Sequence, residues 1–133
     1  MSQEIKVHYQ QISASASEGA VREHKVICDR PEAKGGENRG PMGGEVFLMG
    51  LGGCFMSNLL AAVQSREAAA SDLALEIAGR LAGTPARFEA VHLKVSGNYP
   101  DRAQMEKLVT IAERGCIVAN TIKTAVKLSF EVV

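Results

Sequence analysis

The residues of this chain best suited to covalent chemistry are its three cysteines, Cys28, Cys54 and Cys116. A thiolate is both a nucleophile and a metal ligand, so its surroundings decide what it does. Cys54 follows Gly52-Gly53 inside a long apolar run. Each glycine weakens a helix by roughly 1 kcal/mol relative to alanine, which calls for a reason, either close packing or access to the sulfur. A buried small hydrophobe is the plain alternative. Cys116 follows Gly115 and opens a short helical segment, where free N–H groups and the helix dipole favour a thiolate; core packing is again the alternative. Cys28 lies in a strand and reads as structural. Cys54 and Cys116 stand about sixty residues apart, whereas zinc sites use close pairs. His8, His24 and His92 fall at exposed phases or near turns and read as surface residues, so no metal is expected. No Ser/His/Asp order and no paired-carboxylate motif stands out.

These side chains need elements to hold them. Residues 4–12 alternate Ile5, Val7 and Tyr9 with Lys6, His8 and Gln10, the period of a half-buried strand. Residues 13–19 read as a small-residue turn and 21–28 as a second strand, together a hairpin. Residues 29–44 form a loop with Pro31, Pro41 and five glycines. Such a loop can bring backbone close to a ligand or serve as a plain connector. It lacks the Gly-Lys-Ser/Thr end of a P-loop and any dinucleotide fingerprint. A helix follows from about Glu45 to Ala70, with Glu45 at the positive end of its dipole. Leu73, Leu75, Ile77 and Leu81 alternate in one strand and Val91, Leu93 and Val95 in the next, around a Gly83-Thr84-Pro85 turn. Asp101 caps a helix with Gln104 as capping-box partner, and Met105, Leu108, Val109 and Ala112 form its apolar stripe. Gly115 breaks that helix, residues 117–123 form another, and residues 126–133 form a final strand. The order is β-β-α-β-β-α-α-β, an α+β fold.

The chain of 133 residues fits a single domain, 1–133. It carries 15 Lys and Arg against 15 Asp and Glu, four Phe, two Tyr and no Trp. A neutral chain without a basic patch or stacking aromatics does not fit nucleic-acid binding. The sparse, odd cysteine set and the polar start, without a signal peptide, point to the reducing cytoplasm. Val46 to Val63 carries no charge and approaches the length of a membrane span. Ser57, Asn58, three glycines and the missing basic flank argue instead for a helix buried on nearly all sides in a protein core. A chain this short has few elements to cover such a helix, so a second copy is expected to help bury it.

The stretch from Gly40 to Phe55, GPMGGEVFLMGLGGCF, resembles the first cysteine motif of the OsmC/Ohr family, the osmotically inducible and organic hydroperoxide resistance proteins. A helix, then Cys116, a short segment and a terminal strand match the second half, so the likeness spans essentially the whole chain. The resemblance implies an intertwined homodimer, two central helices wrapped by antiparallel sheets. It implies a thiol peroxidase without cofactor that takes an organic hydroperoxide and a dithiol reductant, with Cys54 peroxidatic and Cys116 resolving. It also implies an Arg that holds the thiolate, for which Arg30 is the candidate and Arg39 and Arg22 its competitors, and a Glu near the helix start, matched by Glu45. Two departures mark a divergent branch. Glu45 is nine positions before Cys54, where the best-known branches place it one further away, and Cys-Pro-x-Ser is replaced by Cys116-Ile117-Val118-Ala119. The competing reading is a non-catalytic dimeric module that binds an apolar small molecule between subunits.

Overall fold

The computed structural model describes residues 2–133. The chain divides into two compact units, one up to Phe47 and one from Leu48 to Val133.

The first unit holds three antiparallel strands in the order β1-β2-β3: β1 His8–Gln11, β2 Ser17–Val21 and β3 His24–Cys28. The expected hairpin is therefore a three-stranded meander. The extra strand, β2, covers residues that read as a turn because of their serines and Gly19. Tyr9 pairs directly with Gly19, and its ring fills the place of a side chain: a Cβ on Gly19 would come within 2.7 Å of the ring. A glycine that weakens a strand in isolation is thus covered by the neighbouring aromatic. Arg22, at φ 52, turns the chain between β2 and β3. Val7 and Tyr9 remain 59% and 57% exposed, so the first strand is less buried than its alternation implies.

The glycine-rich loop is closed on itself. Buried Asp29 accepts N–H groups from Arg30 at 2.7 Å and from Glu37 and Arg39 at 3.2 Å, and the Ser15 hydroxyl also bonds to it. Its own N–H donates to the Pro41 carbonyl at 3.1 Å. One carboxylate thereby gathers donors from both sides of the loop. Gly36 lies so close to the Arg30 backbone that any Cβ would overlap it.

The second unit contains most of the long helix α1, Gly43–Ser65, which starts in the first. Next come β4 Ser71–Ala82 and β5 Arg87–Asn98, then α2 Arg102–Gly115, α3 Ile117–Ile122 and β6 Lys127–Val132. Helix α1 stops five residues earlier than expected: Ala68 N–H bonds back to Val63 and Glu67 takes φ 48. Strands β4 and β5 are antiparallel, as alternation predicts. Strand β6 runs parallel to β5, pairing Val91 with Leu128 and Leu93 with Phe130. The sheet is therefore mixed rather than antiparallel, because α2 and α3 form a crossover that returns the chain in the same direction.

The core of this unit lies between the inner sheet face and the helices. Leu51, Phe55, Leu59 and Ala62 of α1 meet Val91, Leu93 and Val95 of β5 and Met105, Leu108 and Ala112 of α2. Phe55 and Phe130 stack with centroids 5.0 Å apart. Gly52 lets β4 approach, since a Cβ there would be 2.3 Å from the Ile77 Cδ1. Only one stripe of α1 is buried within the chain, and Met49 and Leu60 stay 63% and 51% exposed. By length and composition α1 would pass for a membrane span, yet only 28% of its apolar window is buried. The expectation of burial on nearly all sides is not met by one chain.

Candidate active site

Cys54 sits halfway along α1, one residue before buried Phe55, and its side chain is half-buried. Cys116 is fully buried at the break between α2 and α3. Asp101 opens the helix that ends at this break. Its carboxylate accepts the Gln104 N–H at 3.1 Å and caps α2, whose apolar stripe of Met105, Leu108, Val109 and Ala112 packs into the core as expected. At the other end Cys116 leaves the helical conformation, its N–H bonding to the Glu113 carbonyl at 3.1 Å. It then caps α3, with the Ala119 N–H donating to its sulfur at 3.4 Å.

The fold thus brings the two thiols together across about sixty residues of sequence. The Cys54 sulfur receives hydrogen bonds from the Val118 N–H, the Cys116 thiol and the Ile117 N–H. Burial pushes the Cys54 thiol up, but these donors outweigh it and leave the group below its ordinary value. Cys116 moves the other way. Burial raises it, and the neighbouring Cys54 raises it further, against the Ala119 and Val118 N–H groups. The sequence assigns the helix-start advantage to Cys116. Its Ala119 and Val118 N–H groups are indeed there, but burial outweighs them, while the Val118 and Ile117 N–H groups favour the Cys54 thiolate. Both thiols are free, as is Cys28.

The replacement of proline by Ile117 has a direct consequence here. Proline has no N–H, so Ile117 supplies a donor to Cys54 that a Cys-Pro pattern lacks. Of the two expected reasons for glycine before Cys54, close packing holds at Gly52. Gly52 faces Ile77, and a Cβ on Gly50 or Gly53 would meet nothing within 4 Å. The close approach beside Cys116 is made instead at Gly115, against Asn58.

Glu45 lies in the first turn of α1, about two and a half turns before Cys54 by helix pitch. Its carboxylate accepts the Met42 N–H at 2.8 Å, the reach-back half of a capping box. Arg30 and Arg39 share the loop that Asp29 organises, both with exposed side chains. Arg22 lies apart from them on the β2–β3 turn. Arg30 also lines a shallow cavity of about 210 Å³ with Ser15, Cys28 and Met42. The Cys28 sulfur lies 3.5 Å from the Tyr9 hydroxyl.

Two features escaped the sequence reading. His92 bonds through Nδ1 to the Ser129 Oγ at 2.6 Å and through Nε2 to Glu131 at 2.8 Å, on the outer sheet face. Ser129 and Glu131 alternate on β6, but only the parallel register sets them against His92. Asn58 is the second, and it had shown itself only as a polar residue in an apolar run. Among the described residues no group of three or more His, Cys, Asp or Glu is placed to hold a metal ion.

This arrangement of helices and sheets places the chain in a known class. The OsmC-like protein family matches residues 35–131, and the chain belongs to that family. No curated protein matches it in sequence. Among solved structures it is similar to an OsmC-like protein from Mycoplasma pneumoniae, with TM-score 0.86 and 15% identity over 100% of this chain and 98% of that one. An organic hydroperoxide resistance protein OsmC from Legionella pneumophila gives TM-score 0.76 and 20% identity, covering 98% of this chain and 96% of the other. The organic hydroperoxide resistance protein OhrB of Bacillus subtilis gives 0.72 and 19%, covering 98% of each. At these identities the likeness establishes the fold.

Proposed function

We propose that this protein is a cytoplasmic thiol peroxidase that reduces organic hydroperoxides through Cys54 and Cys116, acting as one functional domain in a homodimer. The observation that carries the reading is the adjacent thiol pair, in which backbone N–H groups favour the Cys54 thiolate while burial keeps Cys116 protonated. In the first step the Cys54 thiolate attacks one peroxide oxygen and the O–O bond breaks. Sulfur is oxidised to sulfenic acid, and the alkoxide takes a proton to leave as alcohol. Cys116 then condenses with the sulfenic acid, forming the S–S bond and releasing water. A dithiol reductant exchanges with that disulfide and returns both thiols. Arg30 holds the thiolate by a charge-assisted hydrogen bond, with Glu45 orienting the guanidinium.

Free cysteines fit a reducing compartment. The exposed apolar face of α1 supports a second copy as partner. The experiment is peroxide consumption with a dithiol reductant. Wild type is expected to turn over cumene hydroperoxide, Cys54→Ser to lose all turnover, and Arg30→Met to react more slowly with a raised Cys54 pKa. Absence of consumption by wild type would overturn the reading.

A further inference from the structure

Asn58 interrupts the apolar run of α1 one turn after Cys54. A half-buried amide in such a place is costly unless its polar atoms are engaged. Its Nδ2 donates to the Cys54 carbonyl oxygen at 2.9 Å, tying the side chain to the turn that carries the thiol. Its Oδ1 lies against Gly115, where a Cβ would sit 2.8 Å from Oδ1 and 3.5 Å from Cγ. Gly115 is the last residue of α2 and the covalent neighbour of Cys116.

Glycine in a helix is less favourable than alanine, and Gly115 is not among the glycines with positive φ, which are Gly35, Gly83 and Gly97. Backbone conformation therefore does not call for glycine at this position. The space its missing side chain leaves is taken by the Asn58 carboxamide.

We propose that Asn58 and Gly115 are positioning residues that set the separation of the Cys54 and Cys116 sulfurs. The inference rests on the reading of these thiols as a redox pair. One amide touches both backbone segments that carry the sulfurs, so a change on either side of the contact displaces one thiol from the other. It also displaces Cys54 from the Ile117 and Val118 N–H groups. Neither residue contacts the peroxide in this account. They act through the geometry of the pair.

The test uses full-length Gly115→Ala, Asn58→Ala and the double variant, with two readouts that need no peroxide. One is the pH profile of Cys54 alkylation by iodoacetamide. The other is closure of the Cys54–Cys116 disulfide by diamide, which takes up the two hydrogens and is reduced to the hydrazine. Gly115→Ala is expected to move the alkylation midpoint upward and slow closure about tenfold, since displacements near 1 Å can have even larger effects on reacting groups. Asn58→Ala removes the obstructing amide, so the double variant is expected to close faster than Gly115→Ala alone, a coupling that reports direct contact. Wild-type behaviour of Gly115→Ala, or strictly additive effects in the double variant, would overturn the proposal. Should Gly115→Ala not fold, Asn58→Ala alone decides: it is expected to slow closure at least about twofold, the lower end of contact couplings, and a wild-type rate refutes the proposal. If wild type itself forms no disulfide with diamide, the redox-pair reading fails instead.

Discussion

Replacing Gly53 by alanine separates two states of α1 by the sign of the effect. Within one chain a Cβ at this position meets no atom within 4 Å. Its only consequence there is helix propensity, a gain of about 1 kcal/mol. For a chain of this size that raises Tm by about 2–5 °C. A partner helix lying on the same face, which carries exposed Met49, Gly53, Ser57 and Leu60, changes the result. The methyl then overpacks a close contact, at about 1–3 kcal/mol for each copy, and two-fold symmetry counts it twice. A total of about 2 kcal/mol weakens the dimer about 30-fold in Kd. Sedimentation equilibrium over the micromolar range, with calorimetry at several concentrations, reads both outcomes. The expected result is a weaker dimer and a Tm that falls on dilution. Gly52→Ala is the control, because its Cβ would stand 2.3 Å from the Ile77 Cδ1 and should lower Tm equally at all concentrations. A Gly53→Ala variant that is 2–5 °C more stable with unchanged mass would refute dimerisation through α1.

Three further outcomes follow from the charges and hydrogen bonds. Ile117 is 70% exposed at the first position of α3, where proline is well accepted; Ile117→Pro removes one N–H from Cys54 and should raise the midpoint of its alkylation with little change in Tm. Burial pushes the Asp29 carboxyl up, but bonds from Arg39, Ser15, Arg30 and Glu37 hold it below its ordinary value. Its contribution to stability is therefore present above the unfolded carboxyl pKa and lost as pH falls through the lower folded one. Asp29→Asn should flatten that acid loss and speed amide exchange at Arg30, Glu37 and Arg39. The His92 hydrogen bond is the largest cause holding Glu131 low, with the same sign of pH dependence. In His92→Gln the Glu131 carboxyl, followed by NMR titration, should move up toward its ordinary value, and an unmoved titration would remove His92 as the cause.

Local signals were the legible ones. Asp101, Gln104 and the stripe from Met105 to Ala112 define α2 from the sequence because capping and amphipathicity act within a few residues. The β4–β5 hairpin was readable from its alternation and the turn at Gly83, Thr84 and Pro85. Strand β2 was hidden because the Tyr9 ring that covers Gly19 comes from another strand. The parallel pairing of β6 depends on the path of the crossover, which alternation does not encode, and with it went the His92 cluster. The neighbourhood of Cys54 and Cys116 was readable through family resemblance, since no spacing rule joins residues so far apart. Which thiol is acidified depends on where three amides point after the break at Cys116. That is a property of packing, as is the contact between Asn58 and Gly115.

Mass spectrometry of the intact chain after one equivalent of cumene hydroperoxide, in the absence of reductant, reads the fate of all three thiols at once. The expected result is a loss of two hydrogens per chain, mapped to a single Cys54–Cys116 linked peptide, with Cys28 still alkylatable and a stable sulfenic acid on Cys54 in Cys116→Ser. A full count of three free thiols after peroxide, or oxidation that begins at Cys28, would contradict it.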